Sequence, residues 1–216
     1  MANIRQHYSS LPPVIKILLL ANIGVFLLEV PYARQLISSF ALWPLPPDQL
    51  LALKPNINEF MPWQLISYAF LHGSIMHLLL NMYALWLFGV SLENLWGSRI
   101  FAIYYFVCVI GAGLVQLVVS SIGVQHGSYY PTIGASGGVF GVLLAFGLFF
   151  PNQRLLLLIP PIPIKAKWFV LIYGVIELWF GATGTQAGVA HFAHLGGMFF
   201  GFLLIYYWKK HPPRKV

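Results

Sequence analysis

Ser136 lies in the stretch Gly134-Ala135-Ser136-Gly137-Gly138-Val139-Phe140-Gly141, which opens an apolar run continuing to Phe150. A hydroxyl where a helix begins faces the positive end of the macrodipole and unpaired backbone N–H groups, which favour an alkoxide or oxyanion. Far downstream, His194-Leu195-Gly196-Gly197-Met198-Phe199-Phe200-Gly201 sets an imidazole above a second glycine pattern. Gly137 and Gly141 are four residues apart, as are Gly197 and Gly201, the small-xxx-small spacing that lets membrane helices come close. If the two faces meet, Ser136 and His194 fall within one helical turn of each other, a nucleophile beside its general base. His77 and Asn81 are likewise four apart and share one helix face. They read either as hydrogen-bonding glue between helices or as donors to an oxyanion formed at Ser136. Their depth, shared with Ser136 and His194, favours the second reading.

These residues need a membrane scaffold to position them. Of 216 residues 59% are apolar and 8% charged, against roughly 25% charged in soluble domains. The chain therefore reads as an all-α, multi-pass membrane protein. Its formal net charge of +7 comes from basic residues at the ends of apolar segments, which points to topology and lipid contact, not nucleic-acid binding. Cys108 is the one cysteine, so no intrachain disulfide forms. The first apolar segment lacks a small-residue cleavage site behind a short core and reads as a retained helix.

The expected organisation is a short cytoplasmic N-terminus (residues 1–11, with Arg5 and His7), one six-helix domain (12–208) and a basic cytoplasmic tail (209–216). The six expected spans are Val14 to Val30 (ended by Pro31), Ile75 to Leu95, Arg99 to Ile122, Ser136 to Phe150, Lys165 to Phe180 and Val189 to Trp208. Residues 32–62, with Pro44, Pro46, Pro47, Pro55 and Pro62, are too apolar for a free loop and too short in apolar runs to span. They read as a structured insert in the membrane interface. Gly123 to Ile133 is a short loop that could cap the site. Leu155 to Pro163, broken by Pro160 and Pro161, is a connection, and Gly181 to Gly188 is a flexible loop. Lys16, Arg99, Arg154, Lys165, Lys167, Lys209, Lys210, Arg214 and Lys215 join Arg5 on one side, against Arg34 and Lys54 on the other. By the positive-inside rule both termini are cytoplasmic, and Ser136, His194 and His77 lie towards the outer face. A bacterial plasma membrane is the expected location.

Each residue has a plainer reading. Most serines in membrane helices only bond their own backbone. The G-x-S-x-G elbow of soluble hydrolases needs a strand, and none is expected here. An acidic third partner is not expected either. Among Glu29, Asp48, Glu59, Glu93 and Glu177, only Glu177 lies well inside an apolar helix, where snorkelling or an interhelical bond accounts for it. The apparatus expected is thus a two-residue one. His191 and His194 are one turn apart with His72 and His77 elsewhere, but no carboxylate lies between His191 and His194 as in H-E-x-x-H. No metal or cofactor is expected.

With its motifs set out, the chain resembles the rhomboid intramembrane serine proteases from Pro62 to Gly201. The family's H-x-x-x-N appears as His77 and Asn81, its G-x-S-G as Gly134 to Gly137, and its H-x-G-G-x-x-x-G as His194 to Gly201. Gly89-Val90-Ser91-Leu92-Glu93 and Gly97-Ser98 are similar to the segment joining helices two and three. The resemblance implies a six-transmembrane-helix bundle with an interfacial first loop, Ser136 as nucleophile and His194 as base. It also implies an oxyanion hole of His77, Asn81 and the Ser136 amide, acting on transmembrane protein substrates in contact with membrane lipid. Two positions depart from the family: Trp63-Gln64 stands for Trp-Arg, and Phe140 for a tyrosine. The rival readings are a catalytically silent binder of membrane helices and a small transporter, which inverted repeats or helices broken at the midplane would mark.

Overall fold

The computed structural model describes residues 10–54, 56–156, 162–184 and 189–213. Arg5, His7, Pro55, Pro160, Pro161, residues 185–188 of the glycine loop, Arg214 and Lys215 lie outside the described residues. The chain runs α1 (Pro13–Phe40), α2 (Asp48–Leu53), α3 (Gln64–Ser67), a 3-10 turn (Tyr68–Phe70), α4 (Ile75–Trp96), α5 (Ser98–Val124), α6 (Ser136–Phe149), β1 (Arg154–Leu156), β2 (Pro163–Lys165), α7 (Ala166–Thr183) and α8 (His191–Lys210). Four of these helices, α1, α4, α5 and α7, are long and apolar enough to cross a membrane.

Two expectations about the elements are corrected. Pro31 does not end the first helix. It sits inside α1, and the non-helical backbone of Tyr32 (φ −124°, ψ 25°) absorbs the missing hydrogen bond as a kink. The fold is also not purely helical. Arg154–Leu156 pairs antiparallel with Pro163–Lys165, with Arg154 opposite Lys165. The alternation across Leu155 and Ile164 turns both half-buried side chains to one face.

The core is built where small residues let backbones close. α6 packs between α4, α5, α7 and α8, and nearly all its side chains from Gly137 to Gly147 are buried. A Cβ at Gly197 would collide with the carbonyl oxygen of Gly137, so α6 and α8 touch backbone to backbone at that level. Gly141 completes this face, and a Cβ there would meet the Gly197 carbonyl oxygen at 3.1 Å as well as Cys108. Gly201 is turned towards α5, against Tyr104 and Cys108. Tyr104 donates a 2.7 Å hydrogen bond to the Gly141 carbonyl and so ties α5 to α6 beside the glycines.

Carboxylates fix the ends of the outer helices. Glu93 accepts from the backbone N–H of Val14 and Ile15 at 2.9 and 2.8 Å and from Ser98 at 2.6 Å, so the last turn of α4 caps the start of α1. Glu29 accepts from the His72 N–H at 3.0 Å and pins the chain just before α4 to α1. The long insert is structured, as expected. The buried Gln64 side chain accepts from Trp43 and Met61 N–H and donates to the Glu59 carbonyl, while Leu42 pairs with Thr132 across to the segment before Ser136.

The glycine contact leaves no room for a side chain, whereas Gly24 on α1 has open space around its Cβ position. Gly197→Ala should therefore lower the thermal midpoint in detergent, by an overpacking cost of about 1–3 kcal/mol. Gly24→Ala should hold or raise it, by up to about 1 kcal/mol of helix propensity. Equal midpoints for the two variants would contradict the close approach of α6 and α8.

Candidate active site

Ser136 is the first residue of α6, and the backbone before it is constrained. Gly134 has φ +123°, a conformation that favours glycine, and a Cβ there would lie 2.7 Å from the His77 ring. Its N–H donates to the Tyr68 carbonyl at 2.9 Å. This seats the turn against the loop below, with the His77 imidazole laid over it. His77 itself is in the first turn of α4, where Ser74 caps the helix by accepting from the His77 N–H.

His194 stands one turn into α8. Its Nε2 lies 2.8 Å from Ser136 Oγ, so the structure brings together the two residues that the glycine spacing pairs. Phe140, on the next turn of α6, stacks its ring on the His194 imidazole with centroids 4.1 Å apart and planes 4° apart. The stacking that a tyrosine would give is thus kept without its hydroxyl. The Ser136 hydroxyl opens into a cavity of about 510 Å³, largely apolar in lining, to which His77, Asn81, Phe140, Tyr173 and His194 contribute. His77 and Asn81 therefore face the same space as Ser136. Asn81 donates one amide hydrogen back to the His77 carbonyl at 2.9 Å, which leaves its second N–H for the cavity.

Of the two roles expected for Glu177, snorkelling and an interhelical bond, the structure shows the second, from α7 to α8. The residue is 6% exposed, and its Oε2 lies 2.7 Å from His191 Nδ1 and 2.8 Å from His194 Nδ1. An unpaired carboxylate at membrane depth is costly, so the side chain turns inward to two imidazoles. The signal was present in the sequence. Ala166, Val170, Gly174 and Gly181 lie on the face of α7 that meets the bundle, and at helical spacing Glu177 falls on that same stripe. The three donor atoms of Glu177, His191 and His194 lie within 4.8 Å of one another, the composition of a three-ligand metal site. The two contacts on one oxygen have the length of hydrogen bonds, bridged by protons.

His72 and His77 meet edge to face at 5.0 Å. Neither His72 ring nitrogen has a hydrogen-bond partner among the described residues. Burial, with His77 beside it, pushes its pKa down to about 4, so the ring is a neutral packing partner of His77.

The sequence pattern of the family described as Rhomboid domain matches residues 59–211. Over 180 residues the chain is 32% identical to Rhomboid protein 1, mitochondrial, of Saccharomyces cerevisiae, covering 81% of this chain and 51% of that protein. It is 31% identical over 192 residues to Presenilin-associated rhomboid-like protein, mitochondrial, of Homo sapiens, covering 81% and 48%. RHOMBOID-like protein 4 of Arabidopsis thaliana is 29% identical over 154 residues, covering 71% and 36%. The chain spans about half the length of the first two relatives.

The His72 ring has a pH consequence. Folded, it takes a proton only near pH 4; unfolded, near the ordinary histidine value of about 6.5. Between those values the unfolded chain binds more protons, so stability falls as pH drops from about 6.5 and the loss is complete near 4. His72→Leu removes this term. Unfolding in detergent at pH 7 and 4.5 should show a smaller acid loss in the variant, by a difference on the order of 2 kcal/mol. Parallel losses would mean that the ring is protonated in the folded protein.

Proposed function

The chain belongs to the rhomboid family, and on that premise we propose that it is an intramembrane serine endopeptidase that cuts transmembrane substrates. The observation that carries the proposal is the 2.8 Å approach of Ser136 Oγ to His194 Nε2 at the floor of a cavity. Ser136 Oγ attacks the scissile carbonyl carbon, and its proton passes to His194 Nε2. The carbonyl electron pair moves onto oxygen, and the resulting oxyanion accepts hydrogen bonds from the Ser136 amide, His77 and Asn81. Collapse of the tetrahedral intermediate breaks the C–N bond, and the departing amine takes the proton from Nε2. Water, activated by the same imidazole, then releases the acyl group from Ser136.

In this proposal α1, α4, α5, α6, α7 and α8 form one six-helix membrane domain, with residues 41–74 in the interface. At 14 residues, α6 is about 21 Å long, short of the roughly 30 Å hydrocarbon core. Ser136 then lies below the surface, where a cavity must bring water. α7 buries only Ala166, Val170 and Glu177 among its described side chains, which favours it as the wall a substrate helix passes. The basic flanks put the opening on the face opposite the positive side. Charge asymmetry sets orientation and not compartment. Two of the three relatives are named as mitochondrial proteins, so orientation alone is proposed, and not the bacterial plasma membrane expected from sequence. A silent binder of helices would have no need of the Ser136–His194 approach, and a transporter would have no need of the oxyanion donors.

Ser136→Ala and His194→Ala should each reduce cleavage of a model transmembrane substrate to background with folding retained. A fluorophosphonate probe should label the unaltered protein at Ser136 alone. Near-normal turnover by either variant would overturn the assignment.

Removing one oxyanion donor typically costs about 10²–10³ in turnover, whereas a hydrogen bond between membrane helices averages only about 0.6 kcal/mol of stability. Asn81→Ala should therefore lower kcat by at least about 10²-fold with KM nearly constant and the thermal midpoint little changed. A fall in midpoint matching the fall in activity would assign Asn81 to packing instead.

A further inference from the structure

Glu177 and His191 take no part in the steps above, yet both are buried against the proposed base. We infer that Glu177 is a positioning residue: its carboxylate accepts the Nδ1–H of His194, fixes the tautomer whose bare Nε2 receives the Ser136 proton, and balances the imidazolium that forms. The inference rests on Ser136 and His194 being the reacting pair.

The argument is one of donors and acceptors. An ionised carboxylate can only accept, and a neutral imidazole carries one N–H and one lone pair. Glu177 Oε2 stands within 2.8 Å of two Nδ1 atoms at once. A protonated oxygen would donate to one Nδ1 and accept from the other, leaving one of the two rings with its hydrogen at Nε2. A bare oxygen serves both when each ring carries its hydrogen at Nδ1. His194 is then left with its lone pair at Nε2, 2.8 Å from the Ser136 hydroxyl. The other tautomer would point an N–H at the serine and leave no site for its proton.

The same geometry answers two costs of chemistry in a bilayer. A buried carboxylate without partners is expensive, and His191 supplies the second donor that keeps it ionised in the resting protein. His191 does so while its own Nε2 has no hydrogen-bond partner among the described residues. When the Ser136 proton arrives, the O–H bond breaks and the Nε2–H bond forms. Glu177 gains no proton; a cation now sits beside an anion, and the pair is neutral. The titratable and hydroxyl groups around His194 come from four helices: Ser136 on α6, Tyr173 and Glu177 on α7, His77 on α4 and His191 on α8. Glu177 is the anionic side chain in contact with the ring.

The test uses Glu177→Gln, which matches the side chain in volume, in the full chain in detergent. Its kcat should fall by about 10²–10⁴-fold, the range of a general base or of a base in the wrong tautomer. KM should stay within about twofold, and the thermal midpoint should be little changed. Nitrogen NMR of ¹⁵N-histidine protein in the Ser136→Ala background gives a reading that does not depend on turnover, with His194 assigned by His194→Gln. It should show Nδ1 protonated and Nε2 bare, and Glu177→Ala should collapse this to a tautomer mixture. Wild-type kcat in Glu177→Gln, or a His194 tautomer indifferent to Glu177, overturns the inference while the Ser136–His194 reading stands. Cleavage by the Ser136→Ala protein sinks that reading instead.

Discussion

The contact on which the rest depends is the one made without side chains, where Gly197 of α8 lies on the Gly137 carbonyl of α6. No hydrophobic driving force presses helices together in lipid, so association rests on close packing and a few polar bonds. Glycine maximises the first by letting two backbones approach. Ser136 is one residue before Gly137, and His194 is one turn before Gly197. The distance between hydroxyl and imidazole is thus inherited from a backbone contact, which side-chain rotation cannot loosen. Phe140 then fixes the plane of the imidazole by stacking, so distance comes from α6–α8 and ring orientation from one further turn of α6.

Three carboxylates lie inside this apolar bundle, and each is satisfied differently. Glu93 takes the orphan N–H groups that open α1, Glu29 takes a backbone N–H just before α4, and Glu177 takes two imidazoles. The first two bind elements together where the backbone would otherwise leave donors unpaired. The third is held by two imidazoles, and one of those touches Ser136. A negative charge retained at depth needs a donor set of this kind, and the identity of the donors separates an architectural carboxylate from one tied to the site.

Most of the scaffold was legible because membrane spans announce themselves by composition, and the pairing of Ser136 with His194 because glycine spacing is a direct statement about helix approach. The misses share a cause. Pro31 was read by its local effect, but a kink is tolerated where α1 is held at its start by Glu93 and just before the kink by the bond of Glu29 to His72 N–H. The hairpin at Arg154–Leu156 and Pro163–Lys165 is short and proline-rich, with only one half-buried side chain per strand, too little periodicity to register. Glu177 was judged by its class instead of its face. A charged residue in an apolar helix allows escape to the surface or an interhelical bond, and the row of Ala166, Val170, Gly174 and Gly181, which marks the side of α7 that meets the bundle, decides for the bond. Burial of Gln64 shows the converse. Standing where the resemblance has an arginine, its amide ties the insert to itself.

The length of α6 carries a consequence for the bilayer itself. A helix of 14 residues cannot match a hydrocarbon layer of about 30 Å, and it is enclosed by longer helices that can. Lipid around the bundle therefore meets the longer helices, while α6 reaches through only part of the layer's depth. Its working depth is a joint property of chain and lipid, and the same polypeptide in a thicker sterol-rich bilayer and in a thinner one would hold its serine at two different distances from water.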